Sequence, residues 1–401
     1  MRGRQLRAAT CAAALALVMT ASSAAAAGGE LSQVAATNQG SSNPTFFATN
    51  RRQAITEGGR QLVVYDPHGS GQQLAWRDGN EPWRTITRGV IADGALPVDT
   101  SAGDRAASIV IARDSGGAEH AWVAWAAQDF EYAVGVQLVR LSELDDPAGP
   151  VVGPVTTVQP PGLGNVGADL VFEGSSGLIS WLRRTGSSSY AVTVARFTNL
   201  DTDTPSFEEA TLFQTSSGSV GTLLPTAGGT VLVVRASGAL TRFSHVAGAP
   251  LGSWSSGSGS ISVGSDARPS AVLLASGDVL AAVESKPSRN KVKIVRFAPG
   301  GGVTTELSLS GYEEPSLATD GSRAWVVMVK VGNDSVVSRQ RTGGSWSSSD
   351  RVELTAADGG DWAWPNLVRN VESGLLRFVV DGPRCTCSTK KNAVYAYQRA
   401  L

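Results

Sequence analysis

The chain has 401 residues, 34 basic and 35 acidic, for a formal charge of −1. A balance this close to zero leaves no cationic field for nucleic acid or anionic lipid. The 46 glycines and only 17% charged residues suit many short strands joined by tight turns, and nothing beyond the N-terminus is apolar for the roughly 20 residues a membrane helix needs.

The first element in chain order is a targeting segment. Arg2, Arg4 and Arg7 precede an apolar run from Ala8 to Met19, and small residues continue to an A-x-A site at Ala25–Ala27. That is the form of a secretory signal peptide. The expected division is residues 1–27 as signal peptide, 28–50 as a closing strand and linker, and 51–401 as a repeat array, in a secreted monomer. Cys11 lies inside the targeting run, which leaves Cys385 and Cys387 in GPRCTCST. An oxidising compartment permits a disulfide there, with a local ring and an intermolecular bond both open.

From Arg51 onward one pattern recurs: an apolar run, a Gly-containing turn, and a second apolar run. It is clearest in RPSAVLLASGDVLAAVE from Arg268, YEEPSLATDGSRAWVVMV from Tyr312, WPNLVRNVESGLLRFVV from Trp364 and GADLVFEGSSGLISWL from Gly167. Looser copies start at Arg51, Ala107 and Val220. Apolar runs rich in Val, Ile and Leu around such turns read as strand pairs. The first apolar residues of the units are Ala54, Ile109, Leu170, Leu223, Ala271, Leu317 and Leu367, spaced 46 to 61 residues apart. A strand unit repeating at this period predicts an all-β, seven-bladed propeller, with six blades as the alternative.

The final unit supplies only three strands, over Asn366–Arg369, Leu375–Val380 and Ala393–Gln398. A closed propeller leaves no free sheet edge, so the early segment Glu30–Thr37 is expected to be the missing outer strand. Trp83, Trp254 and Trp346 mark a second phase, each shortly before an outer strand. The commoner use of such rings is to fill gaps between neighbouring blades; a set of peripheral sugar-binding rings is the alternative.

With RPSAVLLASGDVLAAVE, EEPSLATDGSRAWVVMV and the G-S-W-S pieces at Gly252–Ser255 and Gly344–Ser347, the chain resembles secreted propellers of the sialidase-like and BNR-repeat superfamily. No complete S-x-D-x-G-x-x-W turn is present. Arg268 before Pro269 stands where the resemblance implies the first arginine of a catalytic triad, although such enzymes carry Ile-Pro there and have six blades.

Residues just before the inner strands should rim one mouth of the central channel. They are Arg51, Arg52, Asp104, Arg105, Asn165, Asp169, Asp266, Arg268, Glu313, Glu314, Asp361, Trp362 and Trp364. Of these, Arg52, Arg105, Arg268, Glu313, Trp362 and Trp364 are the candidate ligand contacts. Arginine binds carboxylate or sulfate in fork geometry, and Trp offers a sugar face an apolar ring with a polar N–H. Inter-blade ion pairing is the competing use of the same charges.

Hydrolysis would need two carboxylates, and Glu314 with Asp361 or Asp266 is the pairing the topology suggests. A lyase would set Arg268 beside His120 or Tyr312. No cofactor is expected, and no histidine cluster suggests a metal; Asp201 and Asp203 form at most a weak structural calcium candidate. Three readings remain: a lectin-like protein recognising sugars or acidic glycopolymers, a sialidase-like glycoside hydrolase or polysaccharide lyase, and a scaffold for an extracellular protein or the cell envelope.

Overall fold

Each strand of the predicted units alternates its side chains between two faces, and both faces are apolar. Such strands must lie between two neighbours, and the computed structural model places them so. It describes residues 25–26, 28–36, 51–66, 72–90, 96, 105–127, 135–162, 164–216, 220–263, 268–284, 290–355, 358, 362–382 and 393–401. Seven antiparallel blades surround one axis. Blade 1 holds Gln53–Ile55, Arg60–Tyr65, Gln73–Asp78 and Arg84–Thr85. In blade 2, Arg105–Arg113, Glu119–Ala127 and Val136–Ser142 are followed by an outer edge split into Val151–Val152 and Thr156–Gln159. One parallel bridge, Val166↔Ala127, joins it to blade 3.

Blades 3, 4 and 5 have four strands each, the innermost being Asn165–Glu173, Thr222–Thr226 and Ser270–Leu273. Blade 6 starts with Tyr312–Thr319 and blade 7 with Ala363–Leu367. All seven predicted anchors fall in inner strands and are buried. The N-terminal strand Gly29–Ala36 pairs antiparallel with Ala393–Ala400, Glu30 opposite Gln398, and closes blade 7 as expected. A two-residue strand, Ala25–Ala26, extends that sheet at its edge. The segment expected to be a signal peptide before it, and Cys385 and Cys387, lie outside the described residues.

The core is seven seams rather than one centre. Within Arg60–Tyr65, Leu62 and Val64 pack toward blade 2 with Val123 and Trp125, while Val63 and Tyr65 pack toward blade 7 with Val379 and Val394. Period-2 side-chain direction explains why neither face is polar. Outer strands have a free edge and alternate instead, as in Trp254–Ser262. Each buried Leu or Val contributes roughly 1.5–3 kcal/mol by leaving water, so every seam is a substantial part of the stability. The closing seam of blades 7 and 1 has the smallest apolar cluster.

Buried polar groups supplement it. Arg52, Asp66 and Asp381 are all 0% exposed there. Burial pulls the Arg52 guanidinium down to about 10, against the opposing pull of Asp66 and Asp381. Arg77 reaches Glu30 and Ser32 of the N-terminal strand at 3.2 and 3.0 Å. The indole N–H of Trp83 donates to the same Ser32 hydroxyl at 3.1 Å. Trp254 and Trp346 also sit half-buried, donating to Leu251 O and to Glu306 of blade 5. These three rings are therefore packing and hydrogen-bonding elements.

A second polar system surrounds the axis. The residue before each anchor is polar and buried: Gln53, Ser108, Asp169, Thr222, Ser270, Ser316 and Asn366. Six of these side chains join neighbouring blades in a closed ring. Arg51 N donates to Ser108 Oγ at 3.1 Å, and Ser108 Oγ to Asp169 Oδ1 at 3.1 Å. Leu223 N donates to Asp169 Oδ2 at 2.7 Å, and Thr222 Oγ1 to Pro269 O at 2.6 Å. Leu317 N donates to Ser270 Oγ and Leu367 N to Ser316 Oγ, both at 3.0 Å. Arg52 N donates to Asn366 Oδ1 at 3.3 Å, which returns the ring to blade 1.

Blade 6 carries its own acid-sensitive staple. Asp350 accepts from Tyr312 Oη at 2.6 Å, Arg339 Nε at 2.8 Å and Lys330 Nζ at 3.4 Å. Burial opposes its ionisation, but the hydrogen bonds from Tyr312 and Arg339 outweigh burial and hold the carboxyl below its ordinary range. A depressed folded pKa contributes stability above the unfolded value, about 3.9, and loses it as pH falls through the folded value. Asp350→Asn is thus expected to lower the urea midpoint at neutral pH and to flatten its further decline below about pH 4. Parallel acid limbs for both proteins would overturn this.

Among the described residues no helix is long and apolar enough to cross a membrane.

Candidate ligand site at the channel mouth

Three inner strands open on related tetrapeptides: Arg268-Pro269-Ser270-Ala271, Glu314-Pro315-Ser316-Leu317 and Trp364-Pro365-Asn366-Leu367. The last residue is the buried anchor and the third the inter-blade link. The first therefore occupies one register position on blades 5, 6 and 7. Pairing with the second strand slips between Glu313 and Ser316 and between Ala363 and Asn366, as it does between Val166 and Asp169 in blade 3. Two residues there face one, which is a β-bulge, and proline is tolerated because the ladder is already broken.

The first bulge residue takes left-handed backbone: φ is 58° at Gly167, 53° at Glu314 and 53° at Trp364. Glycine adopts this freely, whereas a side chain costs about 1–3 kcal/mol. Blade 3 uses glycine; blades 6 and 7 keep an acid and an indole. Glu314 is 9% exposed, and its Oε2 accepts the backbone N–H of Trp364 at 2.6 Å. Trp364 and Arg268 are half-buried. A cation, a carboxylate fixed by a charge-assisted hydrogen bond and an indole thus stand on three consecutive blades at one end of the axis.

Below them the axis is braced by charge. Arg51 of blade 1 crosses to blades 3 and 4, donating to Asp169 Oδ1 at 2.5 Å, Leu170 O at 2.6 Å and Leu223 O at 2.5 Å. Asp169 is 0% exposed. From blade 7, Arg369 donates to Ala271 O of blade 5 at 3.0 Å. Burial, and after it the neighbouring Arg51, pull the Arg369 guanidinium down to about 9, with Asp169 pulling the other way. These contacts cross-brace the centre at the level of the anchors, beneath the mouth.

The other candidates are placed differently. Arg52 is fully buried in the seam of blades 7 and 1, where it acts as a clasp and has no surface for a ligand. Trp362 is 1% exposed, donates to Thr355 O at 2.9 Å and packs edge-on to Tyr395, so its ring is core. Glu313 is half-buried, paired in register with Val329. Arg105 begins the inner strand of blade 2 opposite Ala127, with its side chain outside the described residues. Asp104, Asp266 and Asp361 are outside them altogether.

His120 lies in blade 2, in contact with Asp114 Oδ2 at 2.8 Å and Arg140 Nη2 at 2.7 Å. The Tyr312 hydroxyl is held by Asp350. The described hydrogen bonds of both side chains are thus with these groups. Asp201 accepts from Ser115 N and Oγ, and Asp203 from Arg140. The acidic loop thus ties blade 3 to blade 2. Among the described residues no group of three or more His, Cys, Asp or Glu is placed to hold a metal.

At the level of fold the chain resembles lectin and sialidase-type β-propellers, all at low sequence identity. No family profile and no curated protein matches the sequence. A puromycin hydrolase structure is similar to this chain with a TM-score of 0.50 at 16% identity, over 87% of this chain and 54% of that one. SapL1 lectin, solved with α-methyl fucoside, gives 0.46 at 13% identity, over 77% and 97%. A Hadza microbial sialidase, Hz136, gives 0.46 at 13%, over 69% and 62%. Identities this low speak of the fold alone.

Proposed function

We propose that this is an exported glycan-binding propeller whose channel mouth takes a sugar residue, acidic ones foremost, between Arg268, Glu314 and Trp364. The supporting observation is the pair of left-handed, non-glycine residues on adjacent blades. Backbone strain kept at a position where glycine would relieve it is a mark of a functional site. Arg268 supplies a fork for a carboxylate or sulfate, Glu314 accepts from sugar hydroxyls, and the Trp364 ring stacks on the sugar face. The basic-then-apolar N-terminus and its A-x-A site support export. Cleavage after Ala27 would remove Ala25–Ala26 and leave the closing strand Gly29–Ala36 intact.

A glycan array read for both capture and product release tests this. Capture of an acidic glycan without turnover is expected, with Arg268→Ala and Trp364→Ala each weakening it about tenfold, or roughly 1.4 kcal/mol. Turnover abolished by Glu314→Gln in a folded protein would replace the lectin reading with an enzyme. Silence over a broad acidic and neutral panel would remove the carbohydrate reading and favour a protein partner.

A further inference from the structure

A polar cleft, independent of the channel mouth, lies between blades 4 and 5. Its wall on blade 4 is formed by the third strand, Ala239–Val246, and the outer strand, Trp254–Ser262. Its other wall is the turn after Lys291–Phe297 in blade 5. That turn follows a third strand, so it belongs to the end of the propeller opposite the mouth. The cleft measures about 230 Å³ and is lined by Arg242, Ser244, Ser256 and Ser258, with glycine backbone between. At about 30 Å³ per water, it has room for a small solvated group.

The donors in it are largely unspent. Arg242 makes one hydrogen bond, Nη1 to Ala298 O at 3.2 Å, and its Nε is buried without a partner. The hydroxyls of Ser244, Ser256 and Ser258 make none among the described residues. The nearest acid, Asp278, is shared: it accepts from Arg296 at 3.4 Å and from Ser276 at 2.8 Å. Glycine keeps the walls close and bare. A Cβ at Gly259 would meet Val303 Cγ2 at 2.3 Å, and one at Gly301 would meet Ser258 Oγ at 2.0 Å. Buried guanidinium N–H groups without acceptors carry a cost that an oxyanion would remove.

We propose that this cleft is an oxyanion site that takes a sulfate or phosphate group, either free or as an ester on a saccharide, with Arg242 as the charged contact and the Ser256 and Ser258 hydroxyls as secondary donors. Calorimetric titration of the full chain at fixed ionic strength tests it, with sodium sulfate, sodium phosphate, a sulfated monosaccharide and its unsulfated parent as probes. Saturable binding of the anions is expected. In an Arg268→Ala background, which removes the anion contact proposed at the mouth, Arg242→Gln should weaken it at least tenfold and Ser256→Ala with Ser258→Ala a few-fold. The exposed serine pair keeps the test valid if the Arg242 variant melts early. Equal affinity for sulfate and the sulfated sugar would assign recognition to the ion alone, and tighter binding of the ester would assign it to a saccharide-borne group. No saturable binding in the Arg268→Ala protein, equal binding of the unsulfated sugar, or no weakening by Arg242→Gln would each overturn the site.

Discussion

Asp169→Ala is expected to cost the fold about 3–5 kcal/mol, the range for breaking one side of a buried ion pair. The carboxylate is 0% exposed and serves Arg51, Ser108 and the backbone N–H of Leu223 together. Its removal strands a guanidinium inside the axis and opens the ring of links at blades 2, 3 and 4. Urea unfolding should show the full loss. Arg51→Met combined with Asp169→Leu should recover part of it, because replacing both charges removes the unpaired group. A loss below about 1 kcal/mol, the size expected of a surface pair, would mean that the centre is solvated and the brace inessential.

Removing residues 28–36 is expected to have a comparable or larger effect. Ala393–Ala400 would become a bare edge, which invites pairing between molecules. Arg77 would lose Glu30 and Ser32, and Trp83 its acceptor. The truncated chain should melt about 10 °C lower or more, following a loss of several kcal/mol, and should self-associate. A synthetic peptide spanning Gly28 to Thr37, added in excess, should restore the monomer by strand addition. A scrambled peptide should not. An unchanged melting curve in a monomeric truncation would show the strand to be ornamental.

The blade count was legible because burial on both faces forces apolar runs, and apolar runs are what periodicity detects. Leu170 and Leu317 stand out that way, and Ala54 and Ile109 follow in looser copies at a similar period. Closure was legible from a missing strand, since sheet edges must be covered. The ring of inter-blade links was not, although its residues stand beside the anchors: Ser, Thr, Asp and Asn share hydrogen-bonding capacity but no hydropathy signature, and they looked like strand beginnings. For the same reason Arg52 read as a rim residue, yet its side chain turns into the seam toward Asp66 and Asp381. Trp362 and Trp364 differ by two positions, but the bulge at Trp364 breaks simple alternation. Arg369 lies outside the expected rim, yet the sequence marks it: a cation two residues after its anchor, where Phe172, Leu273 and Thr319 stand in other blades.

The closing strand also sets an order of events for folding. Ser32 bonds to Ala396 across a sequence separation of 364 residues. Contacts this remote are the slowest to form, because the whole intervening loop must be ordered or closed first. A chain emerging N-terminus first exposes Gly29–Ala36 at the outset and provides its partner only at the end. That strand must stay unpaired through the assembly of six blades, and its composition suits the wait. GELSQVAA mixes charge, polar groups and small residues, and lacks the uninterrupted apolar character that drives early misassociation. Its sequence suits a long wait as well as a close fit.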